Sequence, residues 1–206
     1  MPILLKYTFY PFVLLLTLVT AYVFTLWLPQ KWFLLIPLIL TFGLVILFIA
    51  LELKYPYNPK WNKSKGDFKT DLFQTFFTLP FAAKLGEWCI PLFLYYPIKW
   101  LQGGGTGIQP VADNIVLQFV LVLLACEFLY YWTHRFSHTT QFLWRFHAVH
   151  HGAKRVYWAN SGRFHLADAY LGSFAYYIPL VLLGASDQVI IMILSFSAIT
   201  GFMEHI

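Results

Sequence analysis

Long apolar runs separated by short polar stretches dominate this chain and predict membrane-spanning helices. A helix needs about 20 predominantly apolar residues to cross the hydrocarbon core of a bilayer. Residues 9–28, 32–51 and 115–133 meet this requirement. Residues 71–100 are apolar but interrupted by prolines and charged residues, and they predict either one irregular span or a re-entrant element followed by a span. The pattern therefore predicts an all-α, polytopic integral membrane bundle.

The remaining chain continues the same organisation with one long polar interruption. Residues 134–168 form this polar region, and residues 169–202 predict a helical hairpin after it. The glycine-rich residues 103–107 predict a flexible linker. A phosphate-binding loop is the alternative, but it requires a Lys-Ser/Thr pair after the glycines, and none follows here. The first apolar run has no small-residue cleavage site and is expected to be retained rather than removed as a signal peptide. We expect a single membrane domain over residues 1–206.

Composition agrees with lipid as the main solvent. Hydrophobic residues make up 59% of the chain and charged residues 11%, whereas about 25% is typical of soluble domains. The net charge of +5 could suggest nucleic acid, but the basic residues collect between the apolar runs and form no stripe. We therefore expect no nucleic-acid partner. Cys89 and Cys126 lie within apolar runs and indicate neither a disulfide framework nor a cysteine zinc site.

The basic residues also predict an orientation. Lys6, five lysines between positions 54 and 69, and five basic residues between positions 134 and 168 make eleven of the fourteen. They share one side if the first two runs form a hairpin and residues 71–100 cross an odd number of times. The positive-inside rule makes that side cytoplasmic, so the histidine-rich region at residues 134–168 is predicted to form a cytoplasmic cap on the bundle. Four of these residues could also attract anionic headgroups or an acidic partner: Arg135, Arg145, Lys154 and Arg155.

The polar region contains five closely spaced histidines: His134, His138, His147, His150 and His151. Residues three or four apart lie on one helical face, so each group of histidines can converge on one point. Neutral imidazole is the commonest side-chain metal ligand, and an all-imidazole site accepts zinc, copper, iron or nickel. Five ligands exceed the four of a closed zinc site, which predicts two metals in one cavity.

The residues around these histidines resemble the fatty acid hydroxylase/sterol desaturase superfamily. Three stretches carry the resemblance: FLYYWTHRFSH at 128–138, LWRFHAVHH at 143–151 and YWANSGRFH at 157–165. The resemblance implies a membrane-bound oxidoreductase with two iron ions. Zinc could also occupy the iron sites. It further implies dioxygen as the oxidant, electrons from a separate donor protein, and hydroxylation or desaturation of a lipid such as a fatty acyl chain or a sterol.

Carried over by position, the resemblance implies six metal ligands: His134, His138, His147, His150, His151 and His205. His165 is a weaker candidate, because the family's Arg-x-His element continues Pro-Leu-Glu and here continues Leu-Ala-Asp. The family's last His-x-x-His-His box does not follow His205 in this sequence. The chain is therefore expected to be a C-terminally incomplete catalytic domain or an inactive truncated member.

One acidic residue is a candidate partner of the histidines. Glu127 precedes His134 by seven residues on the same helical face, and could orient its imidazole through a hydrogen bond or pair within the bundle. A membrane metal-binding or transport protein is the alternative class. A transporter should carry a relay of acidic residues and histidines across its spans, whereas these histidines gather at one face.

Overall fold

A computed structural model describes residues 3–33, 35–56, 58–90, 93, 95–97 and 110–203. These residues form helices, turns and short connections, and no strand occurs among them. The all-α prediction is confirmed. The predicted linker at residues 103–107, parts of the irregular span after residue 90, and His205 lie outside the described residues.

The α-helices of the described ranges follow the apolar runs of the sequence. In chain order they are α1 (Ile3–Trp27), α2 (Leu35–Lys54), α3 (Phe68–Phe73), α4 (Leu79–Ile90), α5 (Ile115–Thr139), α6 (Gln141–His151), α7 (Leu166–Leu182) and α8 (Asp187–Met203). Three helical segments of this described part are long and apolar enough to cross a membrane: Tyr7–Trp27, Gln30–Lys54 and Ile115–Thr139. Length and composition thus support a membrane protein with the first, second and fourth predicted spans.

Helix α5 is longer than the predicted span and carries the first two histidines. Asn114 caps its start, with the side-chain oxygen accepting the N–H groups of Val116 and Leu117 at 3.0 Å each. The span was predicted to end at residue 133, but the helix continues to Thr139. The reason is local, since neither glycine nor proline occurs in this stretch to stop the helix.

The irregular apolar run contains a π-helical turn. Gln74–Thr78 forms this π-helical turn, which is wider than a turn of an α-helix, and joins α3 to α4. Such turns are rare and frequently lie at functional sites. Gly162 approaches this turn closely, because a Cβ built on Gly162 would lie 2.8 Å from the Cα of Thr75.

The chain divides into two compact units, and the single membrane domain stays a prediction. Unit 1 comprises Met1–Lys65, Arg155–Ser161 and Asp187–Ile206. Within it α8 packs against α1 and α2. Its buried apolar side chains form two clusters, one of Ala21, Phe33, Ile36 and Ile191 and one of Val13, Phe48 and Ile199.

Arg155 belongs to the interior of unit 1. Its side chain is 4% exposed, and its guanidinium lies 3.6 Å from the ring centre of Tyr157 and donates to the carbonyl of Trp61. The side chain of Asn160 donates to the carbonyl of Arg155 at 2.6 Å. Arg155 therefore stabilises this segment and is not part of a basic surface, which corrects its place in the predicted group of four.

Unit 2 comprises Gly66–Lys154 and Gly162–Ser186 and holds every described candidate site residue. Its centre is α7, which packs against α4 and α5. The buried side chain of Gln118 on α5 accepts from the hydroxyl of Ser186 at 2.7 Å and donates to the carbonyl of Ala112 at 2.8 Å. These bonds fix α5 at the end opposite the histidines.

Candidate metal centre

Four of the predicted ligands come together in unit 2. Helix α5 supplies His134 and His138, and α6 supplies His147 and His151, each pair four residues apart on one helical face. Thr140 lies between the two helices with an extended backbone (φ −104°, ψ 118°), which turns the chain. The ligand nitrogens of the four histidines all lie within 4.8 Å of one another.

The spacing of these nitrogens fits the binding of one shared metal ion. Nε2 of His138 lies 3.0 Å from Nε2 of His134 and 3.2 Å from Nε2 of His147. Nε2 of His147 lies 3.1 Å from Nε2 of His151. Metal–imidazole bonds of about 2.1 Å at angles of about 90 to 110° put neighbouring nitrogens about 3.0 to 3.4 Å apart. The four histidines therefore form a candidate metal centre.

The centre is buried on one side and accessible on the other. His147 is 2% exposed and His134 is half-buried, whereas His138 and His151 are exposed. The ring of Trp144 stacks on His151 with a centroid separation of 5.8 Å and lies 5.6 Å from the ring of His138. Trp144 thus covers part of the accessible side.

A carboxylate contacts the most buried histidine. Nδ1 of His147 lies 2.9 Å from Oδ2 of Asp168, whose side chain is 9% exposed. A neutral imidazole carries its proton on one nitrogen only. With that proton on Nδ1 and donated to the carboxylate, Nε2 of His147 keeps its lone pair for the centre.

His150 lies beside the group of four. Its Nδ1 is 3.2 Å from the carbonyl oxygen of Arg163, and its ring stacks on Phe164 with a centroid separation of 4.4 Å. A carbonyl can only accept, so the imidazole proton is on Nδ1 and the lone pair is on Nε2. This form suits a metal ligand, and the predicted ligation by His150 stays a prediction.

His165 caps a helix. Its Nδ1 accepts the N–H of Ala167 at 3.1 Å at the start of α7, and its ring packs against Phe146 at a centroid separation of 4.9 Å. Because Nδ1 accepts, the neutral ring carries its proton on Nε2 and has no lone pair there for a metal. The cap therefore competes with the predicted ligation by His165, which stays a prediction, as does that by His205.

Glu127 is hydrogen-bonded away from the histidines. Its Oε1 accepts the hydroxyl of Tyr176 on α7 at 2.6 Å. The ring of Tyr130 lies 5.2 Å from that of Tyr176 and 6.1 Å from that of His134. Seven residues correspond to about 10 Å along a helix, which is too far for a direct hydrogen bond. Glu127 therefore reaches His134 only through intervening rings, and its orienting role stays a prediction.

Arg163 ties the end of α6 to α3. Its Nη1 donates to Oδ1 of Asp71 at 2.9 Å, and its Nε donates to the carbonyl of Val149 at 3.1 Å. Asp71 is fully buried. Since the Arg163 carbonyl also binds His150, this one residue fixes both Val149 and His150.

The sequence patterns assigned no role to Asp168, Asp71 or Arg163. Asp168 did carry a signal, because no other acidic residue occurs between Glu127 and Asp187. The pairing of Asp71 with Arg163 joins residues 92 positions apart, and no local pattern indicates it.

The helices and the four imidazoles define a candidate membrane metalloprotein. A family model described as fatty acid hydroxylase matches residues 119–206. The ornithine lipid hydroxylase OlsE of Rhizobium tropici is 32% identical over 164 residues, which make up 78% of this chain and 49% of that relative. No solved structure matches the chain.

Residues 119–206 match the fatty acid hydroxylase family, and this match confirms the resemblance seen in the histidine motifs. The matched residues begin within α5 and include all seven histidines. The chain spans about half the length of the curated relative that it matches.

Proposed function

We propose that this protein is a membrane-bound, metal-dependent lipid hydroxylase that uses dioxygen. The observation that carries the proposal is the convergence of four imidazole nitrogens at the end of an apolar helix. A centre attached to a membrane helix can reach a substrate that stays in the bilayer. The name of the Rhizobium tropici relative supports a lipid as the substrate class.

We propose iron as the native metal, with two ions per chain. The four convergent histidines would hold the first ion, and His150 and His205 are the further proposed ligands. Bound iron would supply the activation of dioxygen that attack on an unactivated C–H bond requires. An all-nitrogen donor set also accepts zinc, so metal identity is part of the test.

The chain's own residues would hold the ligands and limit water. His147 is nearly inaccessible, which keeps water from the inner side of the centre. The ring of Trp144 contacts the rings of His138 and His151 and covers part of the outer side. Exclusion of water prevents loss of a reactive oxidant to side reactions.

In hydroxylation, one atom of dioxygen enters the C–H bond and the other leaves as water. Two electrons and two protons complete this balance, and a separate donor protein would supply the electrons. The basic residues around the histidines predict that this side faces the cytoplasm, where such a donor would bind.

The experiment uses the full chain expressed in membranes that contain its native lipids. Extracted lipids are compared by mass spectrometry after growth under ¹⁸O-labelled dioxygen, and the metal content of the purified protein is measured. We expect iron in the protein and one labelled oxygen in a lipid. Both should disappear in His147→Ala and persist in Gln141→Ala, a change at an exposed position of the same helix.

Other outcomes separate the alternatives. A lipid that loses two hydrogens and gains no label would indicate desaturation. Metal uptake into vesicles without any oxidised lipid would indicate transport and overturn the proposal. Transport has little support in the described spans, because their only acidic residues bind other groups. Glu52 accepts from the backbone of Trp158 and Glu127 accepts from Tyr176.

A further inference from the structure

We infer that Asp168 is a positioning residue that fixes the tautomer of His147 and thereby makes Nε2 of His147 a metal ligand. The inference rests on the proposed metal centre and deepens it. Asp168 would not contact the metal or the substrate, and it would act only through His147.

His147 is the central member of the group of four. Its Nε2 lies 3.2 Å from Nε2 of His138 on α5 and 3.1 Å from Nε2 of His151 on α6. His147 therefore lies between one ligand of each helix. It is also the most buried of the four. A wrong tautomer at this position would place an N–H, which cannot bind a metal, among the other nitrogens.

Only Asp168 controls the other nitrogen of this ring among the hydrogen bonds described. Nδ1 of His147 lies 2.9 Å from Oδ2 of Asp168. An ionised carboxylate accepts hydrogen bonds and donates none, so it holds the proton on Nδ1. Hydrogen bonds of this kind fix the tautomer and ring orientation of metal-binding histidines, and their loss typically lowers metal affinity ten- to hundred-fold.

The fold delivers Asp168 to this place through the start of α7. His165 caps the helix by accepting the N–H of Ala167, and Asp168 follows in the first turn. A helix start favours a negative charge, because its free N–H groups carry partial positive charge. Helix α7 also packs against α5, the helix that bears His134 and His138. The start of α7 therefore places the carboxylate of Asp168 beside Nδ1 of His147.

The test measures metal affinity directly. The full-length protein in nanodiscs is titrated with Co(II) against a chelator, for the wild type and for Asp168→Asn. The asparagine amide keeps the shape of the side chain but can donate to Nδ1, which moves the ring proton to Nε2. We expect Asp168→Asn to weaken Co(II) binding ten- to hundred-fold. The matched control is Asp187→Asn, an exposed aspartate in the first turn of α8, which should bind Co(II) like the wild type.

A second measurement reports the tautomer without any substitution. In the metal-free, ¹⁵N-histidine-labelled wild type, nitrogen chemical shifts should show the His147 proton on Nδ1. A proton on Nε2, or Co(II) affinity in Asp168→Asn within twofold of the wild type, would overturn the inference. This measurement also decides the matter if Asp168→Asn does not fold.

The proposed function and this inference fail separately. If Asp168→Asn weakens Co(II) binding while the wild type oxidises no lipid, the inference holds and the proposed function does not. If the wild type oxidises lipid and Asp168→Asn binds metal normally, the reverse applies.

Discussion

Arg163 donates across 2.9 Å to Asp71, a carboxylate completely shielded from solvent. The arginine side chain is 19% exposed, so the pair is largely withdrawn from water. Removing one partner of a buried ion pair leaves the other without compensation, which is strongly destabilising.

We expect Asp71→Asn to lower the free energy of unfolding by about 3 kcal/mol, because it leaves the Arg163 charge uncompensated. Thermal unfolding in detergent, followed by circular dichroism, measures the change. The matched control is Asp113→Asn, at an exposed position of the same unit, which should stay within about 0.5 kcal/mol of the wild type. Equal stability of the two variants would contradict a structural role for the pair.

Gly162→Ala should destabilise the protein through a backbone clash. The added Cβ would lie 2.8 Å from both Cα and Cβ of Thr75 in the π-helical turn, and rotation of a side chain cannot relieve contact with Cα. We expect a lower melting temperature. Gly43→Ala is the control, because a Cβ on Gly43 in α2 meets nothing within 4 Å. A melting temperature for Gly162→Ala equal to that of the control would contradict this prediction. It would show that the segment of Gly162 and the π-helical turn can move apart without loss of stability.

Substitution of His165 separates a helix cap from a metal ligand. Asparagine is among the best N-cap residues, so His165→Asn should keep α7 and the metal content of the protein. His165→Ala should keep the metal but lower stability by about 1 kcal/mol, because the cap is lost. Metal analysis together with thermal unfolding checks both. Loss of metal from His165→Asn with normal stability would instead identify His165 as a ligand.

Tyr176→Phe should weaken the packing of α7 against α5. The 2.6 Å bond from the Tyr176 hydroxyl to Glu127 is lost, which leaves a carboxyl group in an apolar helix without that donor. The expected cost is about 1 to 3 kcal/mol. A double-mutant cycle with Glu127→Met measures the coupling, and strictly additive effects would mean that the hydrogen bond contributes nothing.

The apolar runs predicted the helices well, because a membrane helix needs only length and hydrophobicity. They failed at polar positions. Helix α5 continues from residue 133 to Thr139 although those residues are polar, since nothing in their backbone preference ends a helix. The interruption by the π-helical turn at Gln74–Thr78 also had no local signal.

The histidine spacing predicted the pairs but not the choice among them. His147 could join either His150 or His151, and the structure selects His151. With 3.6 residues per turn, His151 lies about 40° around the helix axis to one side of His147, and His150 lies about 60° to the other side. A single metal ion between α5 and α6 can therefore be bound by His147 together with only one of these two histidines. That choice depends on where α5 lies. The contact between Asp168 and His147 likewise depends on tertiary packing, because the two residues are 21 positions apart in the sequence.

For the proposed lipid hydroxylation, the continuity of α5 has a consequence for which lipid carbon would be attacked. Its 25 residues extend about 37 Å, and the hydrocarbon core of a bilayer is about 30 Å thick. In a membrane, the surplus is roughly the last turn and a half of the helix, which contains His138 and begins next to His134. Because these two imidazoles and the apolar run belong to one unbroken helix, bilayer thickness sets their height above the acyl chains. The same polypeptide would then oxidise different positions along a lipid in thin and thick membranes.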